Sequence, residues 1–86
     1  MYNKIYNEAL KLKEDAEFKL GLSKLDNSQE SDEYYNEYIE LLEEAGRKFI
    51  DAYKLGCYEA FDEIKEIAGD SYEIAELCKE YNISLE

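Results

Sequence analysis

The chain has no histidine, proline or tryptophan, no valine or threonine, and only two cysteines in 86 residues. Without histidine, the commonest general base of enzymes is missing. The sequence also lacks a glycine-rich phosphate loop and a nucleophile elbow. The absence of proline and of β-branched valine and threonine, with abundant Ala, Leu, Glu and Lys, favours helix over strand. We therefore predict an all-α protein that is not an enzyme and holds no cofactor or metal ion.

The two cysteines, Cys57 and Cys78, form neither a disulfide framework nor a CxxC zinc pattern. Both fall at apolar positions of helical patterns, which predicts reduced thiols in the core. No stretch approaches the roughly 20 consecutive apolar residues of a membrane span. The first 25 residues are amphipathic and carry acids, unlike a signal peptide. These features predict a cytoplasmic protein.

Basic residues are scarce, with ten Lys and Arg against 22 Asp and Glu, which gives a net charge of −12. Small domains usually carry a net charge of magnitude about 2 to 8. Residues 1–25 are nearly neutral, whereas residues 26–46 carry eight acids and no base. This charge repels nucleic acid and anionic membranes and favours a protein partner with a basic surface. The alternative is that the acids serve solubility alone.

The longest pattern runs from residue 31 to residue 68, where apolar residues recur at helical spacing on one face. The sequence predicts one domain, residues 1–86, that folds as a small antiparallel bundle of three to five helices, at about 2–25, 31–45, 47–68 and 71–82. A straight helix over 31–68 would be about 57 Å long, too long for so small a domain. We expect a break at 45–48, around Gly46. Alternatively, residues 31–68 form one long bent helix whose overhang is buried in a homodimer.

Within the first helix the apolar residues change sides. Ile5, Ala9, Leu12 and Ala16 share one face, whereas Phe18, Leu22 and Leu25 share the opposite face. Either a bend lies between residues 15 and 21, or the helix is sandwiched between two neighbours. Helix-capping rules place N-caps at Ser31 and at Asp70, the latter with Glu73 at capping-box spacing, and a helix end at Gly69.

The face of 31–68 opposite the apolar stripe is acidic, and this row is our candidate partner-binding surface. Carboxylates three or four residues apart rise about 4.5 to 6 Å from one another, comparable to the roughly 3.4 Å rise of phosphates on a DNA strand. Tyrosines beside the row can stack on arginine. The predicted binding residues are Glu33, Tyr34, Glu37, Tyr38, Glu40, Glu44, Asp51, Asp62 and Glu66. The alternative is an ordinary solvated helix face.

An EF-hand-like ligand rhythm begins at Asp26 and ends at Glu37, with Ser28 and Glu30 at alternate positions. Ser31 stands where the sharp turn of such a loop needs glycine, so we predict no calcium site.

Two segments, AEFKLG (16–21) and DAYKLG (51–56), place an aromatic residue, a lysine and a Leu-Gly pair in the same order, 35 residues apart. This period and the Leu-Gly pair resemble the Sel-type branch of the tetratricopeptide-like helical repeats, over about residues 14–60. The resemblance implies a helical hairpin and a protein-binding scaffold. Such repeats need about three copies to bury a core, and at most one and a half are present here.

Together these features predict a non-enzymatic protein that binds another protein. The leading hypothesis is an acidic inhibitor or decoy that masks a basic, nucleic-acid-binding surface, such as that of a nucleic-acid enzyme. In composition the chain is similar to the small acidic anti-restriction and anti-CRISPR inhibitors of phages. The alternative is a tetratricopeptide-like scaffold or a self-associating module that binds through apolar and tyrosine contacts.

Overall fold

A computed structural model describes residues 2–25 and 30–85. It contains four helices, α1 (Tyr2–Leu25), α2 (Glu30–Lys54), α3 (Ala60–Asp70) and α4 (Tyr72–Glu80). No strand occurs in the two described ranges. The prediction of a small all-α bundle is therefore confirmed, although several of the predicted helix boundaries are wrong.

Helices α1 and α2 form an antiparallel hairpin along most of their lengths. Lys19 near the end of α1 pairs with Glu37 near the start of α2 at 2.8 Å. Glu8 near the start of α1 pairs with Lys48 near the end of α2 at 3.2 Å. Ala9 and Ala16 of α1 are fully buried, and their small side chains allow α1 to pack closely.

The core lies between the inner face of α2 and the three other helices. The largest fully buried side chains come from α2, α3 and α4, namely Phe49, Ile50, Ile64, Ile67, Ile74 and Cys78. Tyr6 of α1 contacts Phe49 edge-on, with ring centroids 5.6 Å apart. Both cysteines are free and buried, as predicted.

The long pattern breaks at Gly56, and the predicted break at 45–48 is wrong. Helix α2 continues through Gly46 to Lys54. It ends because Gly56 adopts φ +111°, a left-handed conformation that L-residues with side chains avoid. The Cys57 N–H then donates to the Ala52 carbonyl, and the Gly56 N–H donates to the Tyr53 carbonyl, both at 3.0 Å. This is the Schellman pattern of helix termination. The alternative of a single helix over 31–68 is wrong for the same reason.

Gly46 has a packing role instead of a terminating one. A Cβ at this position would lie 2.7 Å from Ile74 Cδ1 and Cγ1 of α4. Its missing side chain therefore lets α4 approach the middle of α2. The predicted helix over 47–68 is therefore not one element. Its first residues belong to the end of α2, and its last residues belong to the short helix α3.

Two predicted caps are also wrong. Ser31 lies inside α2, which begins at Glu30. Asp70 is the last residue of α3, and Ser71 takes the N-cap of α4 with extended backbone (φ −129°). The Ser71 hydroxyl accepts a hydrogen bond from the Ile74 N–H at 3.4 Å. With Ser71 at the N-cap, Glu73 is one position too early for a capping box.

Helix α1 runs from Tyr2 to Leu25 without a break between residues 15 and 21. Its inner face is buried, but Phe18 is 66% exposed and Leu25 is 84% exposed. No other helix of the described residues covers this second apolar face.

The last helix ends two residues earlier than predicted. Asn82 has φ +60°, and the Ile83 N–H donates to the Cys78 carbonyl at 2.8 Å, a second Schellman pattern. This turn places Ile83, which is buried, against the core.

Candidate acidic interface

Five of the predicted carboxylates lie along one edge of α2, and we call them the acidic ridge: Glu33, Glu37, Glu40, Glu44 and Asp51. All five side chains are exposed. Because α2 does not break at Gly46, the ridge follows one continuous helix. From Glu33 to Asp51 it rises about 27 Å.

One lysine of α1 neutralises part of the ridge. Lys19 forms the ion pair with Glu37, so this carboxylate is not free. A shallow groove between the helices is lined by Lys19, Glu37, Glu40 and Glu44, with Leu41 at its apolar side. The carboxylates of Glu33, Glu40, Glu44 and Asp51 form no ion pair among the described residues.

The bases between Glu44 and Asp51 pair with carboxylates outside the ridge. Arg47 donates to Glu73 of α4 at 2.8 Å, and Lys48 pairs with Glu8 of α1. Each base therefore ties α2 to a neighbouring helix. This leaves the ridge acidic although two cations lie within it in sequence.

Beside Arg47, two carboxyl groups share one guanidinium. Burial and the adjacent Glu73 carboxyl raise the pKa of Glu43, whereas Arg47, 4.0 Å away, partly offsets this. The hydrogen bond from Arg47 lowers the pKa of Glu73. The cluster of Glu43, Arg47 and Glu73 therefore holds α4 on α2 at the cost of placing two acids together.

We expect Glu43→Gln to stabilise the protein by about 0.5 kcal/mol at pH 7. An acid whose pKa is raised in the folded state opposes folding above that pKa, and the opposition disappears as the pH falls through it. The gain should therefore shrink between pH 7 and about pH 4. Urea unfolding at both pH values measures it. Glu40→Gln makes the same charge change on the ridge, and an equal gain there would mean that only net charge matters.

The two predicted tyrosines occupy different environments. Tyr34 is half-buried, and the Lys19 ammonium lies 5.5 Å from its ring centroid. Tyr38 is only 7% exposed and contacts Tyr35, with ring centroids 5.6 Å apart. Tyr38 is thus a core residue, and the idea that its ring is open to a partner is wrong.

Asp62 and Glu66 do not continue the ridge. Their alignment with it follows from the helical phase that the apolar pattern keeps over residues 31–68, but the turn at Gly56 separates α3 from α2. Helix α3 packs on the buried side of α2, through Ile64 and Ile67. Glu66 pairs with Lys13 of α1 at 3.2 Å, and Asp62 is exposed. The predicted row of seven acids is therefore a ridge of five and two separate residues.

Aromatic residues form a cluster at the turn between α2 and α3. The spacing of the acidic residues does not predict this cluster. Tyr53 lies 5.8 Å from Tyr58 and 5.9 Å from Phe61 between ring centroids. Tyr58 is 75% exposed. These three rings line a cavity together with residues 82–84. The spacing of Tyr53, Tyr58 and Phe61 could have indicated the cluster only once the turn at Gly56 was known.

The calcium pattern begins in residues 26–29, which lie outside the described residues. In the part of the chain that is described, no group of three or more His, Cys, Asp or Glu side chains is arranged to hold a metal ion. None of the described helices is both long and apolar enough to cross a membrane.

Comparison of the chain with protein-family models, with curated proteins and with solved structures found no match in any of the three.

Proposed function

We propose that the protein is a non-enzymatic, cytoplasmic inhibitor or decoy that binds a basic, nucleic-acid-binding surface of another protein through the acidic ridge. The observation that carries the proposal is the continuity of α2 through Gly46. It places Glu33, Glu40, Glu44 and Asp51 on one rigid helix edge, with the intervening bases turned to other helices.

The ridge is suited to a row of Lys or Arg side chains that otherwise contacts phosphates. Its carboxylates are sparser than the phosphates of a DNA strand, but they are fixed on a helix of about 37 Å. Fixed charges cost less entropy to align with a partner than flexible ones. The net charge of −12 adds long-range attraction to a basic protein and repulsion from nucleic acid or anionic membranes.

The mode of action proposed here is that of the anti-CRISPR and anti-restriction class: a small acidic protein occupies a channel meant for nucleic acid. Binding of this kind weakens steeply with salt, because exposed charges are screened beyond about 8 Å at physiological ionic strength. Nucleic acid competes with it, because both ligands need the same basic residues.

The test is a pull-down from nuclease-treated lysate with two matched variants. Glu33→Lys with Glu40→Lys reverses two ridge charges, and Asp62→Lys with Asp70→Lys makes the same net change at exposed positions of α3. We expect a captured nucleic-acid-binding protein to bind the ridge variant at least tenfold more weakly than the α3 variant. Circular dichroism checks that both variants remain helical.

Displacement is the second readout, because added DNA or RNA should release the captured protein. The proposal fails if both variants lose binding equally, or if the complex persists in high salt and ignores nucleic acid.

The aromatic cluster favours the second candidate, an interaction module of the tetratricopeptide-like type. Tyr58 is exposed and lines the cavity at the α2–α3 turn, and Leu55 is exposed in the same turn, so a peptide could bind there through apolar contacts. The two repeat-like segments differ in structure, since the first lies inside α1 and the second ends α2. Binding of this type should survive high salt and fall when Tyr58→Ala is introduced.

A further inference from the structure

We propose that two copies of this chain associate through the outer face of α1, packed antiparallel and centred near Gly21. This surface is separate from the acidic ridge, and the inference does not rest on the proposed function. It follows from the apolar stripe, the glycine, the local charge and the positions of two charged residues on α1.

The outer face of α1 carries an apolar stripe that nothing in the described structure covers. Phe18 is 66% exposed, Leu25 is 84% exposed and Leu22 is half-buried. Their spacing of four and three residues places them on one face, opposite the buried Ala9 and Ala16. An ordered stripe of large apolar side chains on one helix is suited to packing against a second helix.

Gly21 lies at the middle of this stripe. Glycine inside a helix is unfavourable by about 1 kcal/mol relative to alanine. No turn or neighbour among residues 2–25 and 30–85 requires it, because α1 is continuous and a Cβ there would meet nothing of this part of the chain within 4 Å. An exposed glycine lets a second helix backbone approach closely at this point.

Local charge indicates a second copy as the occupant. Two molecules that each carry −12 repel over most of their surfaces. Residues 1–25 contain five lysines and four acids, so α1 brings little repulsion to its own copy. An interface between identical chains must also be complementary to itself.

Two charged residues on α1 supply this self-complementarity. Glu17 and Lys24 are seven residues apart, so they lie on the same flank of the stripe. In an antiparallel pair, equivalent flanks face each other. Packing centred near Gly21 brings Glu17 of each copy close to Lys24 of the other, and Phe18 fits between Leu22 and Leu25 of the second copy. In a parallel pair, opposite flanks would face each other, so Glu17 and Lys24 of the two copies would not meet.

One stripe on one helix gives a small interface, below the roughly 1,000 Å² of stable complexes. We therefore expect a weak, reversible dimer. Salt should strengthen it by screening the repulsion between two acidic molecules. Binding of a basic partner to the acidic ridge should instead weaken with salt. The salt dependence therefore distinguishes a failure of this proposal from a failure of the proposed function.

Sedimentation equilibrium over about 10 µM to 1 mM protein tests the dimer. We expect Phe18→Asp to weaken dimerisation at least tenfold, whereas Tyr72→Asp, at an 80% exposed tyrosine of α4, leaves it unchanged. Circular dichroism confirms that both variants keep their helix content. The proposal is overturned if the parent stays monomeric throughout this range, or if Phe18→Asp dimerises as the parent does.

Charge exchange tests the antiparallel register. Glu17→Lys and Lys24→Glu should each weaken the dimer several-fold, and the double variant should restore it. Gly21→Ala should weaken the dimer while raising the melting temperature of the dilute monomer. A double variant as weak as the singles would contradict the antiparallel arrangement.

Discussion

We expect Lys13→Met to lower the free energy of unfolding by about 2 kcal/mol. The Lys13 ammonium reaches from α1 to α3, where it donates to the carboxylates of Glu63 and Glu66, the latter at 3.2 Å. The Lys13 side chain is only 15% exposed and that of Glu63 is 23% exposed. Methionine keeps most of the aliphatic stem but leaves the Glu63 carboxylate largely buried without its counter-charge. The loss is smaller than for a fully buried pair, because water still reaches Glu66.

Urea unfolding measures this loss against Lys11→Met, which removes the same charge from an exposed position of α1. We expect little change for the control. Adding Glu63→Gln to Lys13→Met should recover part of the stability, because it removes the uncompensated charge. Equal losses for the two lysine variants would mean that net charge, and not the contact between α1 and α3, explains the effect.

The Lys13 contribution also has a defined pH dependence. Burial lowers the pKa of Lys13, but the hydrogen bonds to Glu63 and Glu66 outweigh burial, and the pKa is raised. A cation with a raised pKa stabilises the fold fully below its unfolded-state pKa of about 10.4. That stabilisation is lost as the pH rises through the folded-state pKa. The difference between parent and Lys13→Met should thus be constant near neutral pH and shrink in strong alkali.

The sequence was sufficient to predict that the chain is helical, but it did not show where each helix ends. Periodicity on α2 and α3 depends on buried residues such as Phe49 and Ile64, and their spacing is visible in the sequence. The sequence did not show which of the two glycines, Gly46 or Gly56, ends the helix. Both are glycines inside a helical pattern, and only the position of Ile74 shows that Gly46 is needed for packing. Local signals identify a glycine, but tertiary contacts decide its role.

The sequence was sufficient to predict the acids of the ridge, but it added residues that the structure places elsewhere. The five acids of the ridge are exposed as the helical spacing predicted, since each lies opposite the apolar stripe. The apolar pattern keeps one helical phase over residues 31–68, and that phase alone placed Asp62 and Glu66 in the same row. Tyr38 was misplaced because a tyrosine next to an acidic row is equally compatible with surface and core. The pairing of Lys19 with Glu37 joins residues of different helices, which no local pattern shows.

The same substitution at two glycines should have opposite effects on stability. We expect Gly46→Ala to lower the free energy of unfolding by about 1 kcal/mol, because overpacking costs about 1 to 3 kcal/mol and the gain in helix propensity offsets about 1 kcal/mol of it. The added Cβ would lie 2.7 Å from two carbons of Ile74 and 3.2 Å from Ile67 Cγ2. Gly21→Ala meets no neighbour and should raise the free energy of unfolding by about 1 kcal/mol. Thermal unfolding of dilute protein compares the two.

A double-mutant cycle with Ile74→Val tests whether the clash is with α4. Valine lacks Cδ1, one of the two closest atoms, so Ile74→Val should cost less stability in the Gly46→Ala background than in the parent. If Gly46→Ala instead stabilised the protein as much as Gly21→Ala, α4 would have to withdraw from α2. That movement would separate Arg47 from Glu73, whose contact at 2.8 Å depends on the same approach. Loss of the raised Glu43 pKa in a pH titration would then reveal it, because Glu73 is one cause of that raised pKa.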